Sequence, residues 1–154
     1  MNFGEKILDY KEDILKDLDE LLKIQSVSSK SQEDASEALK FILKRAEEMG
    51  LTTENVDDIA GHAEYGEGDE IAAVLSHVDV VPSGDGWSVE PFALTRKNGR
   101  LYGRGIADDK GPAIIALYCL KALKDSGVPF KRRLRTIFGA SEEVGMADMD
   151  RYFS

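Results

Sequence analysis

Between residues 5 and 24 the apolar positions Ile7, Leu8, Ile14, Leu15, Leu18, Leu21 and Leu22 recur at helical spacing among Asp, Glu and Lys. That period predicts an amphipathic helix. The polar run QSVSSKSQ interrupts it, and a second helical pattern covers residues 33–49 with Gly50 as its stop. From Leu51 the period shortens: LTTENVDD and GHAEYGE carry weak strand patterns, and EIAAVLSHVDVV carries a strong one. The continuous apolar run at residues 71–75 predicts a strand covered on both faces, as in the middle of a parallel or mixed sheet.

PSGDGW reads as a loop, and FALTRKNGRLYG as two short strands joined at Asn98 and Gly99, a pair that tolerates the positive φ of a tight hairpin. Apolar spacing in KGPAIIALYCLKALKDSG then predicts a mostly buried helix ending near Gly127, with Asp108 and Asp109 at its start. RRLRTIFGA is the next strand, EEVGM a turn, and ADMDRYFS a last helix. Strands alternating with helices give an α/β fold, a mixed sheet with helices packed on it.

A chain of 154 residues, 42% hydrophobic, can bury one ordinary core, so one globular unit is expected. The formal net charge of −9 and pI near 4.8 repel phosphate backbones and anionic lipid, which argues against nucleic acid or membrane partners. No apolar run approaches the roughly 20 residues that cross a bilayer. A single cysteine and no leader pattern at the N-terminus predict a soluble chain of the reducing cytoplasm. Cys119 reads as core and not as a nucleophile. His62 reads as an exposed loop residue, and Trp87 with Pro91 and Phe92 as packing for a loop behind the site. Ser76 and Ser83 lack the G-x-S-x-G elbow of a serine hydrolase.

Three groups of residues carry candidate chemistry. His77 and Asp79 lie two apart at a strand end, on one face, so the imidazole is a candidate metal ligand and the carboxylate its support. The plainer reading is a half-buried histidine beside a solvated aspartate. Asp108 and Asp109 sit where GRGIADDKG turns from a strand into a helix, as ligands or simply as N-caps, with Arg104 and Lys110 as counter-charges. Glu142 and Glu143 emerge after the strand TIFGA, either as a ligand and a base or as a solvated turn. Taken together the groups are stronger than any one of them. Each follows a separate predicted strand, and open α/β sheets collect ligands beyond the carboxyl ends of their strands.

SHVDVVPSGDGWSVEPF, GRGIADDKGP and GASEEVGMADMDRYF resemble, in order, the catalytic-domain motifs of zinc-dependent dipeptidases of the peptidase V type, in the aminoacylase and carboxypeptidase superfamily. The resemblance covers essentially the whole chain and implies a zinc-exopeptidase-like fold. It implies that His77 binds one zinc, Asp108 bridges two, Glu143 binds the other, Asp79 steadies the histidine and Glu142 is the general base. It also implies a cis peptide after Asp108, and a dipeptide cleaved by water activated between two zinc ions about 3.5–4 Å apart, with cobalt or manganese as substitutes. Complete members add a further acidic ligand, a distal histidine and a lid and dimerisation domain. None of these is found in the 154 residues, which are therefore expected to be the N-terminal portion of a catalytic domain with impaired activity on its own. Two alternatives stand beside this: a non-catalytic remnant acting only by association with another chain, and a hydrolase of N-acyl amino acids; the partners expected are a dipeptide substrate and either a second copy of the chain or a missing C-terminal portion.

Overall fold

A computed structural model of the chain describes residues 3–154. The first helical pattern is realised in three pieces: α1 (Phe3–Lys6), a 3-10 turn (Ile7–Tyr10) and α2 (Lys11–Lys23). The second is α3 (Gln32–Glu48), opened by Ser31, whose Oγ accepts the Asp34 N–H at 3.1 Å. It closes as the glycine predicts. Gly50 takes a φ of +72°, its N–H reaches Glu47 O and the Leu51 N–H reaches Ala46 O, the paired bonds of a Schellman stop.

Both weak strand patterns are strands, β1 (Thr52–Val56) and β2 (Ala60–Tyr65), paired antiparallel about a turn in which Asp57 and Asp58 have positive φ. β3 (Ile71–His77) follows, then the expected hairpin of β4 (Thr95–Lys97) and β5 (Arg100–Tyr102), turned by Asn98 and Gly99 at φ of +53° and +72°. The chain ends with α4 (Lys110–Asp125), β6 (Arg133–Gly139), a 3-10 turn (Glu142–Val144) and α5 (Ala147–Tyr152). The main sheet has the order β1-β2-β6-β3, with β3 parallel to β6 and the other pairs antiparallel.

α3 and α4 cover one face of this sheet and α2 packs against both helices; there Leu21, Leu22, Leu39, Ile42, Ile114, Leu117 and Phe138 form a fully buried core. Gly61 is required there: a Cβ would stand 2.6 Å from Glu54 O and 2.8 Å from a Leu43 methyl. The helices are joined to one another by polar contacts as well. Buried Asp17 of α2 accepts the Tyr118 hydroxyl of α4 at 2.7 Å and lies 3.2 Å from Arg45 Nε of α3. No helix among the described residues is long and apolar enough to cross a membrane.

Two expectations need correction. The apolar run in β3 is not covered on both faces: Val74 and Leu75, successive positions that point to opposite faces, are 55% and 50% exposed, and β3 is also the edge strand with β6 on one side only. His62 is not in a loop. It lies in β2, paired with Ile137, and is 4% exposed beneath α5. Arg135 donates to the Tyr152 oxygen at 2.9 Å, so the Tyr152 hydroxyl is free to donate to His62 Nδ1 at 2.8 Å, which makes the imidazole neutral with its proton on Nε2. Glu54 lies 3.8 Å from that Nε2, and Glu64 pairs with Arg135.

Burial, and then the Arg135 charge, hold the His62 pKa below the ordinary histidine value. The unfolded chain therefore takes up this proton first. Stability from the neutral ring is complete above about pH 6.5 and declines as pH falls below it. Thermal melts of His62→Gln between pH 7 and pH 5 should show a shallower acid-side decline than the parent protein; equal slopes would assign the decline to other groups.

Candidate metal centre

β3 and β6 run parallel and finish together, with His77 opposite Gly139, so the segments leaving both strands share one edge of the sheet. The loop before α4 brings Asp108 to the same edge. One ligand atom each from His77, Asp108 and Glu143 lies within 4.8 Å of the others, although the three are separated by 31 and 35 positions in sequence. His77 is buried, Glu143 half-buried and Asp108 exposed, so the cluster opens to solvent on one side.

The histidine is oriented by the strand end. Its Nδ1 faces two acceptors, the Asp79 carbonyl at 3.1 Å and Asp79 Oδ1 at 3.3 Å, which fixes the proton there. Nε2 is left facing Asp108 Oδ1 at 3.1 Å and Glu142 Oε2 at 3.8 Å. Burial opposes a charged ring, but Asp79 outweighs it, aided by Asp108 and Glu142, and the pKa is pushed up to about 9. A ring this cation-stabilising is surrounded by acceptors that a metal ion could also satisfy.

Asp79 does more than steady the ring. It is fully buried, and its two oxygens accept the Glu142 and Glu143 N–H groups, each at 3.1 Å. One carboxylate thus anchors both the imidazole and the turn carrying the two glutamates. Burial disfavours its charge, yet His77 and the Glu143 N–H hold its pKa below the ordinary range. Glu143 moves the other way. Burial raises its pKa, and the Asp108, Glu142 and Asp79 charges add to this against the pull of His77. One imidazole and crowded carboxylates at a strand-end opening form a donor set that suits a divalent ion of borderline softness.

Three supports carried no signal in the sequence. Asp109 occupies the N-cap position of α4 but makes no cap; its Oδ2 accepts the His77 N–H at 3.1 Å and so joins two of the three groups. Ser141 and buried Asp148 bond reciprocally, the Ser141 N–H to Asp148 Oδ2 at 2.8 Å and the Asp148 N–H to Ser141 Oγ at 3.0 Å. This pins the entry to the glutamate turn. Gly139 leaves room for it, since a Cβ there would lie 2.2 Å from Asp148 Oδ2. The peptide bond between Asp108 and Asp109 is cis.

Arg104 and Lys110 are not counter-charges to the aspartates. Arg104 donates to Ser83 O at 3.1 Å and stacks over half-exposed Trp87, whose indole N–H also bonds Ser83 O. Lys110 is wholly buried, and its ammonium donates to Leu21 O at 2.9 Å and Ile24 O at 2.6 Å. Carbonyls at the end of α2 outcompete nearby carboxylates for it because they lie within the core that encloses its stem. Cys119 is half-buried in α4, and burial pushes its thiol pKa up, away from a reactive thiolate.

Residues 73–153, which include all five candidate site residues, match the profile of peptidase family M20/M25/M40. The chain belongs to this family. The Bacillus subtilis (strain 168) protein named "Putative dipeptidase YtjP" is 43% identical, over 99% of this chain and 35% of its own length. Among solved structures, the Saccharomyces cerevisiae di-peptidase Dug1p superposes with a TM-score of 0.84 at 26% identity, covering 98% of this chain and 36% of that one. The M20 family metallo-carboxypeptidase Sso-CP2 of Sulfolobus solfataricus gives 0.80 at 26%, covering 91% and 33%. The M20 chain described here thus spans about a third of the length of these relatives. Its mixed sheet flanked by helices is the α/β fold expected from the sequence, and it is shared with these M20 structures.

Proposed function

We propose that these residues are the N-terminal portion of a two-zinc dipeptidase catalytic domain, in which His77 and Glu143 would each hold one zinc and Asp108 would serve as the ligand shared by the pair. The observation that carries this reading is the convergence of the three ligand atoms within 4.8 Å beside Glu142 and Asp79. The dipeptide-directed names of the relatives support the substrate class. A pair of divalent ions, when bound, lowers the pKa of a water and polarises the peptide carbonyl.

The protein residues do the rest. Glu142, with Oε2 at the mouth of the cluster, takes the proton from the attacking water and returns it to the leaving amine. Asp79 keeps the His77 proton on Nδ1, so that Nε2 presents its lone pair, and holds the glutamate turn through both of its amides. This chain offers two protein ligands to each metal, whereas catalytic zinc sites are built on three. The third for each, and the surfaces that grip the ends of the dipeptide, are assigned to polypeptide beyond these 154 residues. The exposed Ile71, Val74 and Leu75 along the β3 edge support contact with such additional chain. We place the activity in the cytoplasm, consistent with the single cysteine.

Metal analysis of the protein before and after Asp108→Ala tests the assignment. Bound zinc, cobalt or manganese should fall to background in the variant; full metal content without the Asp108 carboxylate would overturn the bridging role.

A further inference from the structure

Lys110 is an anomaly in physical terms. It is wholly buried, burial pushes its pKa down to about 7, and its hydrogen bonds are to two carbonyls and no carboxylate. A buried ammonium is costly, and a cap on the end of α2 could have been made by solvent or by a glycine motif. What the lysine accomplishes is a junction. The carbonyls it holds, Leu21 O and Ile24 O, end α2 and begin the segment through residues 25–28. That segment runs beside the strand end that carries the ligand: Ser26 Oγ donates to Val78 O at 2.7 Å, the Val80 N–H donates to Ser26 O at 2.9 Å, and Val27 bridges to Val80.

At its other end Lys110 directly follows Asp108 and Asp109. The preceding loop folds over its stem, with the Gly111 N–H bonded to Gly105 O at 3.1 Å. The two glycines that flank this turn are dictated by its backbone, Gly105 by a φ of +91° and Gly111 by close packing. A Cβ at Gly105 would lie 3.0 Å from Val80 and 3.2 Å from Lys110 Cδ, and one at Gly111 would lie 2.0 Å from Ile106 O. We infer that Lys110 is a positioning residue for the metal centre, tying the loop of Asp108 to the strand end of His77 and Asp79 through residues 24–28. The inference rests on the metal-site reading above. It also explains the G-R-G-I-A-D-D-K-G spacing, which the ligand roles alone leave unexplained.

The test compares the parent protein with Lys110→Met, which keeps the stem and removes the donors, and with Ser26→Ala, which cuts the link to Val78 further along the same path. Cobalt(II) is titrated by its visible absorption, and amide NMR shifts of His77, Asp108 and Asp109 are recorded without metal, on protein verified as folded by circular dichroism. Both variants should lose cobalt affinity, Lys110→Met by about 10- to 100-fold, with altered absorption bands and displaced amide shifts at all three residues. If folded Lys110→Met binds cobalt as the parent does with the His77 amide shift unmoved, Lys110 is only a helix cap and the inference is overturned. Should Lys110→Met not fold, Ser26→Ala decides by the same criteria. If the parent, with the remaining ligands of the complete catalytic domain supplied, binds no cobalt, the metal-site reading fails separately, and a displaced His77 shift in the metal-free variants still supports the junction.

Discussion

Glu142→Gln is expected to lower dipeptide turnover by about 100- to 10,000-fold in the complete, metal-loaded catalytic unit, the usual worth of a positioned general base. The amide is the same size and cannot accept the water's proton. Because Glu142 is outside the trio whose ligand atoms converge, and its side chain is 42% exposed, bound metal and melting temperature should stay near parental values. The loss should fall on kcat. A variant that raised KM and left kcat intact would show that Glu142 only grips substrate, and the proton shuttle would have to be assigned elsewhere.

The sequence carried most of the element pattern because each helix and strand here obeys its own period. α3 shows this well: apolar spacing and a glycine stop agree, and the structure departs from the expected bounds by one residue at each end. β3 shows where such reading fails. An apolar run reports how much burial a strand is suited to, not whether a neighbour is present to supply it, and Val74 and Leu75 stand exposed at an edge. His62 departs from its sequence pattern for a related reason. Flanking glycine and alanine look loop-like, but Gly61 is small because it packs against Leu43 and Glu54, and the face of β2 that carries His62 is covered by α5.

The site was legible as residue types and illegible as support. His77, Asp108 and Glu143 could be singled out because acids and histidine at the ends of apolar runs recur in three ordered motifs. Nothing in the chain order announces that Asp109 turns back to the His77 amide, or that Asp148 grips Ser141 across the glutamate turn. Those bonds join side chains to backbone groups, and every residue offers the same backbone. The charge of Lys110 suggests a partner for its aspartate neighbours, whereas its surroundings are set by the end of α2, 86 positions earlier.

Asp79→Asn should weaken divalent metal binding by about 10- to 100-fold, as loss of a group that orients a ligand commonly does. It should also destabilise the fold. Two part-buried amides, of Glu142 and Glu143, share the two oxygens of the buried carboxylate; asparagine offers one oxygen and turns an N–H toward the other amide, at a cost of up to about 1–3 kcal/mol for a donor left unmet. The charge matters as well, through His77. In metal-free protein its pKa is raised to about 9 chiefly because Asp79 overcomes the effect of burial, so the protonated ring contributes stability that is complete below about pH 6.5 and is lost as pH rises through about 9. Removing Asp79's charge removes most of that contribution, worth about 1.4 kcal/mol for each pKa unit forgone. Urea melts of the metal-free proteins should therefore differ most near pH 6 and converge toward pH 9 on a residual gap set by the unmet amide. A gap independent of pH would mean that Asp79 acts on the glutamate turn alone, and that the orientation of His77 is fixed by the backbone carbonyl of residue 79 without its carboxylate.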